Sequence, residues 1–558
     1  MTNESLNIIN HSPNQHNQLI NLHLYIGRAM KKQIIITVIL LAATAIVTVL
    51  YFKNLNPPGT RNSLVMEAIP GNASIIFEFN NDKSFYDIFN GNQLFPAVVG
   101  KQKLDELDTL QQKLLLNPVL EKYFTGQNIY ISFHPSNKND VDLLLSISSS
   151  TGYDLSLPNQ LTKQLNSDLT VTPLYNSGKQ IYNIYIKQLK KSFYIFINED
   201  NILQGSFSKQ LIDQCTNYKI QKDKQSFVLL SEQQNTNSLA NLYVNYQQLS
   251  ILFNQLFKNK NTDIFRSFRL MPGLASLTLN YRTDALMFNG STTIDHHKPP
   301  GYFNLFCYQE PVSNHLKDIL PSTTAYCTSF SISDPIKFES NLAQSQTVSG
   351  LKKERETLFN QIKTETGINL QPAFRQLLGN EFAVVTTKYI EKFAIISVID
   401  GSKLSLLLSG ISKATAGNAG IFNYDQLPLF LLGDAFSNFK RPYFLIVDNY
   451  LVLANSPGEL ASYYDIYINR KFLTKNDNYN EFDNLLTEQS NVSFVFNFKN
   501  SMPILKRDMY PDIYDNIQKN EPGWKNFYAL SCQLTAADKN FYTNLCIQLN
   551  SDSTLNKK

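Results

Sequence analysis

Charge is scarce in this chain: Asp, Glu, Lys and Arg make up only 17% of its 558 residues, against ~25% in ordinary soluble domains. Asn, Gln, Ser and Thr fill the deficit. Positive charge has no surplus beyond residue 60, where 46 basic residues face 45 acidic ones, and no long Lys/Arg run occurs. A phosphate backbone would find no complementary surface, which excludes nucleic acid as a partner. Histidine is limited to seven positions, three of them (His11, His16, His23) before residue 30. No His-x-x-x-His pair exists, so no helical zinc site is expected. The adjacent His296 and His297 diverge on an extended segment and read as solvated.

Nucleophile motifs are missing as well. There is no Gly-x-Ser-x-Gly elbow. Asn176-Ser177-Gly178-Lys179 lacks the upstream glycine of a phosphate loop, and Gln180 stands where Ser or Thr is needed. Lys413 is four residues from Ser409, not the three of Ser-x-x-Lys. Asp82, Asp87 and Asp334 are scattered carboxylates for which solvated turns are the default. No catalytic, cofactor-binding or metal-binding residue can be nominated, and no cofactor is expected. The five cysteines, an odd number, cannot all pair within one molecule. Strand alternation sets Cys532 and Cys546 on different faces, with Cys546 outward. A Cys307–Cys327 bond stays open, and buried thiols are expected elsewhere.

What the chain does contain is hydrophobic: 43% of residues are apolar and 12% aromatic, enough for a large core. Residues 34–52 read IIITVILLAATAIVTVLYF, without charge or proline. At ~1.5 Å per residue this helix matches the ~30 Å hydrocarbon thickness of a bilayer. Arg28, Lys31 and Lys32 precede it, which places the N-terminal side in the cytoplasm by the positive-inside rule. The expectation is a single-pass signal-anchor in the inner membrane: a cytoplasmic tail 1–33, the transmembrane segment 34–52, a tether 53–66, and an extracytoplasmic (periplasmic) remainder. The alternative is a signal peptide cleaved after Ala45, since Ala43-Thr44-Ala45 has the small-x-small form. Met30-Lys31-Lys32 resembles a natural start, so Met1 and Met30 both stay open.

The outer portion is written twice. Residues 69–79 match 320–330 at an offset of 251, and 124–131 match 377–384 at 253. Residues 193–197 match 443–447 at 250, 242–246 match 494–498 at 252, and 285–294 match 540–549 at 255. Five matches in one order predict two tandem units, 67–295 and 318–550, joined by a linker 296–317 and followed by a polar tail 551–558. Adjacent Pro299 and Pro300 support the linker. Gly126 and Gly379 are expected in equivalent turns.

Within each unit, apolar runs such as 143–147 and 393–398 are strand signals. Leu104, Leu107, Leu110 and Leu114 share a helical face, as do Leu249, Leu252, Phe253 and Leu256. The fold class is therefore α+β: in each unit a large, mainly antiparallel sheet with helices on one face.

Two segments carry a resemblance. Residues 320–326 (Leu-Pro-Ser-Thr-Thr-Ala-Tyr) with Phe330 and Phe338, and residues 378–383 (Leu-Gly-Asn-Glu-Phe-Ala), resemble a bacterial domain-of-unknown-function family whose members carry an N-terminal anchor and a long extracytoplasmic portion. The likeness covers much of residues 67–550. It implies the anchored arrangement and supplies no catalytic residues to carry over.

The functional expectation is a non-catalytic, membrane-anchored envelope protein that acts by binding or scaffolding, with the membrane and an envelope protein or lipid as partners. One alternative is a carrier of an apolar ligand such as lipid. Another is an envelope hydrolase, which would show a polar cluster in one unit that the other lacks.

Overall fold

Runs rich in Ile, Val, Phe and Tyr suit a pleated surface, and they build one sheet of twenty strands. The structure is a computed structural model that describes residues 64–550, apart from 82–84, 87–96, 99, 117–120, 122, 125–126, 137–140, 150–168, 219–237, 259–267, 269, 416–418 and 520–522. The expected cytoplasmic tail, membrane segment and C-terminal tail lie outside the described residues. Among the described residues no helix is long and apolar enough to cross a membrane.

The first ten strands are β1 (Ile75–Asn80), β2 (Asn128–Pro135), β3 (Val141–Ser148), β4 (Leu169–Asn176), β5 (Lys179–Ile186), β6 (Lys191–Ile197), β7 (Ile202–Ser206), β8 (Ala240–Asn245), β9 (Gly273–Tyr281) and β10 (Ala285–Ile294). They lie in the order 4-5-6-7-3-2-1-8-9-10, each pair antiparallel. The next ten are β11 (Thr324–Ser331), β12 (Leu378–Thr387), β13 (Lys392–Val398), β14 (Ser412–Ala414), β15 (Gly420–Phe422), β16 (Tyr443–Val447), β17 (Tyr450–Ala454), β18 (Val492–Asn497), β19 (Phe527–Ala537) and β20 (Asn540–Leu549). Their order is 14-15-16-17-13-12-11-18-19-20, again antiparallel throughout. The last strands of the two sets, β10 and β20, pair edge to edge.

Directly opposed residues share a face of the sheet, so faces can be traced strand by strand. One row runs Phe196, Gln204, Ser146, Tyr130, Glu78, Asn241, Thr278 and Asn289 in the first half. It crosses to Asn544 and continues through Gln533, Ser493, Ser329, Ala383, Ile395, Val452 and Leu445. The row equates Phe196 with Leu445, an offset of 249. The sequence match, at 250, is one residue out there, and a one-residue slip exchanges the two faces.

Helices cover both faces, not one. On the face bearing Glu78 and Ser329 lie α1 (Leu64–Ala68) and α3 (Lys209–Asn217) in the first half, and α9 (Pro457–Ile468) in the second. On the opposite face lie α2 (Lys101–Leu110), α4 (Tyr246–Leu256), α5 (Pro335–Val348), α6 (Lys352–Thr366), α7 (Leu370–Leu377) and α8 (Gly401–Ser409). The reason is legible in β13: Phe393 and Ile395 face one way, Ala394 and Ile396 the other, and all four are wholly buried. A continuous apolar run of this kind marks burial on two sides. Local caps agree with the sequence: Asn245 accepts from the backbone N–H of Gln247 and Gln248 at the start of α4.

The expected linker differs most from its reading. Residues 296–300 are largely exposed, but Tyr302–Tyr308 form a 3-10 helix whose Phe303 and Phe306 are wholly buried. Phe306 stacks on Phe330 at 5.1 Å and meets Phe338 and Phe382, while Phe303 meets Phe268 edge-on at 4.9 Å. The segment joins the apolar cores of both halves instead of bridging them through solvent. Gly379 likewise lies within β12 at a register irregularity, not in a turn, and a Cβ there would sit 2.4 Å from Ser397 Oγ. Gly126 is outside the described residues.

Phe306→Ala should lower the unfolding free energy by ~3–5 kcal/mol through cavity formation, whereas His297→Ala should stay within ~0.5 kcal/mol. Gly379→Val should cost ~1–3 kcal/mol through overpacking. Urea unfolding of the three variants checks these values, and a Phe306→Ala midpoint equal to that of the parent would remove the segment from the core.

Candidate functional site

On one face of the sheet the first half holds Ser146 and Gln204 where the second holds Ile395 and Val452, while the row stays polar in the second at Ser329, Ser493, Gln533 and Asn544. On β1, Glu78 is 1% exposed and accepts from Asn128 Nδ2 at 2.6 Å, Asn241 Nδ2 at 3.2 Å and the Tyr243 hydroxyl at 2.8 Å. Its row positions in the second half run from Ser329 to Ala383, Ile395 and Val452. On β2, Ser132 and His134 are both wholly buried. His134 Nε2 lies 2.8 Å from Ser132 Oγ, and its Nδ1 lies 2.8 Å from Asn72 Oδ1. Val385 and Thr387 occupy the corresponding places on β12, 253 positions on.

The protonation follows from the partners. Burial pushes the His134 imidazole down to about 3, so it is neutral near pH 7. Asn72 directs its Nδ2 at Gln214 Oε1, 3.4 Å away, which leaves Oδ1 as the acceptor of the Nδ1 proton. His134 Nε2 then accepts from the Ser132 hydroxyl. A hydroxyl, a base and an orienting amide thus stand in the sequence of a nucleophile site. Ser132 is sealed, however, so a substrate carbonyl has no place beside its Oγ. The line instead pins the turn after α1 to the sheet, at the floor of an open groove of about 530 Å³ lined by Asn72, Asp213 and Tyr218.

A larger cavity, about 690 Å³, lies on the opposite face between α2 and strands β2, β3, β6 and β7. Its floor is Ile131, Leu143, Leu145 and Phe193. Glu106 of α2 and Lys191 of β6 form an ion pair of 2.5 Å at its rim, with the Lys191 ammonium 5.8 Å above the Phe207 ring. In the second half α5, α6 and α7 pack Phe338, Ile362 and Phe374 into the core. The row positions of Ile131, Leu143 and Leu145 hold Val384, Lys392 and Ala394 there, the first two half-buried and Ala394 wholly buried. No sequence pattern pointed to this cavity, because strand periodicity does not tell how closely a helix packs above it.

The residues weighed in the sequence lie apart. His296 and His297 occupy the exposed turn, and His315 Nδ1 is 3.3 Å from Glu381, whose carboxyl burial pushes upward. Asn176-Ser177-Gly178-Lys179 is the β4–β5 hairpin turn, with Asn176 bonded to Asp213 and Lys179 to the Thr216 carbonyl. Ser409 ends α8 and bonds to the Leu406 carbonyl, and Asp334 caps α5. Asp82 and Asp87 are outside the described residues. All five cysteines are free and buried, Cys307 and Cys327 included. Cys546 is not outward: it packs against Phe482 and Ala529 in a second layer. Burial pushes the thiols of Cys307, Cys327, Cys532 and Cys546 up to about 12. Among the described residues no group of three or more His, Cys, Asp or Glu could hold a metal ion.

No family model matches the chain, and no curated protein matches it. Two solved structures are similar over part of it. Crystal form III of TP0453 is 13% identical, with 46% of this chain and 91% of that chain covered and a TM-score of 0.23. Crystal form I of TP0453 is also 13% identical, with 42% and 80% covered and a TM-score of 0.22. Likeness at that level carries no argument about this chain.

The buried imidazole has a pH signature. Because its folded pKa lies below the ordinary 6.5, its contribution to stability is complete above pH 6.5 and is lost as pH falls toward 3. At ~1.4 kcal/mol per unit, His134→Gln should lose ~2–3 kcal/mol less stability than the parent between pH 7 and pH 4.5. Urea midpoints at the two pH values measure this. Parallel losses in both proteins would mean that His134 is not buried and neutral.

Proposed function

We propose that this chain is a non-catalytic protein of the bacterial envelope, tethered by residues 34–52 in the inner membrane, with residues 1–33 cytoplasmic and the bulk extracytoplasmic. Its outer part is two copies of one unit, 67–295 and 318–550, and it acts by binding or scaffolding. The shared strand order and the row centred on Asn289 and Asn544 support the duplication. The observation that carries the binding role is the cavity of about 690 Å³ in the first half, with its half-buried apolar floor of Ile131, Leu143 and Leu145. The same cavity favours a second, more specific reading as a carrier of an apolar ligand. The polar line Asn72–His134–Ser132 fits the pattern set for a hydrolase, but its burial supports a structural role.

The tether is tested by topology. A reporter active only outside the cytoplasm, fused after Lys558, should be active, and the protein should stay with membranes through high-salt washing. Replacing Lys31 and Lys32 with Glu should weaken the orientation. Recovery of a soluble species beginning near Ile46 would replace the anchor with a cleaved signal.

A further inference from the structure

We propose that the cavity between α2 and strands β2, β3, β6 and β7 binds a single-chain amphiphile whose head is uncharged and hydrogen-bonding. The inference rests on the binding role proposed above and names its ligand class. The volume, about 690 Å³, lies within the ~300–1,000 Å³ of small-molecule sites. The two ends of the cavity differ in chemistry. Ile131, Leu143 and Leu145 project from adjacent strands into it and stay only half-buried, an apolar floor that a hydrocarbon chain would remove from water.

The rim decides the head. Its ionisable groups are Glu106, Asp142, Lys191 and Lys209, two of each sign, so the mouth has no net charge to select an ion. Lys191 is held by Glu106 at 2.5 Å, and Lys209 by Asp213 at 2.9 Å. A carboxylate head would have to displace Glu106 or lie against it, and an ammonium head would meet the two lysines. A hydroxyl or ester oxygen accepts from Lys191, and a hydroxyl donates to Glu106, without opening the pair. Glu106 side-chain exposure is 6%, so breaking its ion pair would leave a poorly solvated carboxylate.

The full-length chain, held in an amphipathic polymer, is titrated with the fluorescent apolar probe N-phenyl-1-naphthylamine, which is then displaced by monoolein, oleate or oleylamine. Saturable displacement by monoolein is expected, at least ten-fold tighter than by either charged analogue. Ile131→Trp and Val141→Trp, which fill the cavity from two strands, should each weaken monoolein at least ten-fold. Glu106→Gln frees Lys191 and should tighten oleate about ten-fold while leaving monoolein within two-fold, a reversal that loss of folding cannot produce. Oleate binding tighter than monoolein in the parent, or monoolein binding unchanged in both tryptophan variants, would overturn the proposal. Absence of saturable monoolein binding would overturn it too. Membrane retention is scored on the same preparations, so failure of the ligand test with retention intact leaves the tether standing, and the converse result removes only the tether.

Discussion

The edge-to-edge pairing of β10 with β20 is the constraint on which the rest of the molecule depends. Each set of ten strands would otherwise end in a ten-residue strand whose backbone N–H and C=O groups face outward, an invitation to uncontrolled pairing. Eight consecutive residue pairs, from Ala285 opposite Gln548 to Thr292 opposite Phe541, consume both edges at once. At the centre Asn289 Nδ2 donates to Asn544 Oδ1 at 2.5 Å, extending a link from Asn280 Nδ2 to Asn289 Oδ1. The two far ends of the sheet are blunted by other means: β4 carries Pro173, and β14 has only three residues.

Once these edges are joined, a single apolar core can run behind the sheet. Phe79, Ile129 and Ile147 of the first half belong to the same buried cluster as Phe330, Phe382 and Ile396 of the second. The Tyr302–Tyr308 segment sits at the join, and the Tyr302 hydroxyl donates to the Leu432 carbonyl at 2.5 Å, so even its polar atom is satisfied inside. Burial of that phenol pushes its pKa well up, which keeps it a neutral donor. Stability in such an arrangement is shared between the halves through aromatic contacts, not assigned to either.

The opposite face is where the halves part company. In the second half Leu460, Tyr463 and Ile466 of α9 close over Phe393, Ile395 and Val452. In the first, the row positions of Ile395 and Val452 hold Ser146 and Gln204, with the Ser132–His134 line beside them. Buried polar groups are costly without a partner, which Ser146 Oγ lacks and the others have. Gln204 Nε2 reaches the Ala68 carbonyl at 2.8 Å, and Ser206 Oγ reaches the Leu143 carbonyl at 2.7 Å. Polar satisfaction there fixes α1 and its following turn, while the ligand-sized space opens on the other face beneath α2. Structural polarity and candidate binding chemistry are thus separated by the thickness of one sheet.

The sequence by itself determined the local elements: the strand runs, the antiparallel connections by short turns, the helix face of Leu249 and Leu252, and the absence of any catalytic motif. Periodicities of two and 3.6 record on which side a residue stands, and that much needs no knowledge of the partner. What covers each side is a different matter. Only the tertiary structure decided that Cys546 lies under a second layer, that the stretch after Pro300 enters the core, and that Phe196 and Leu445 stand in one row of the sheet. It alone brought Asn72 to His134 across 62 positions, and Glu106 to Lys191 across 85. The cavity belongs to this second class, because it is set by how far one helix stands from the strands below it, a separation that no residue pattern along the chain encodes.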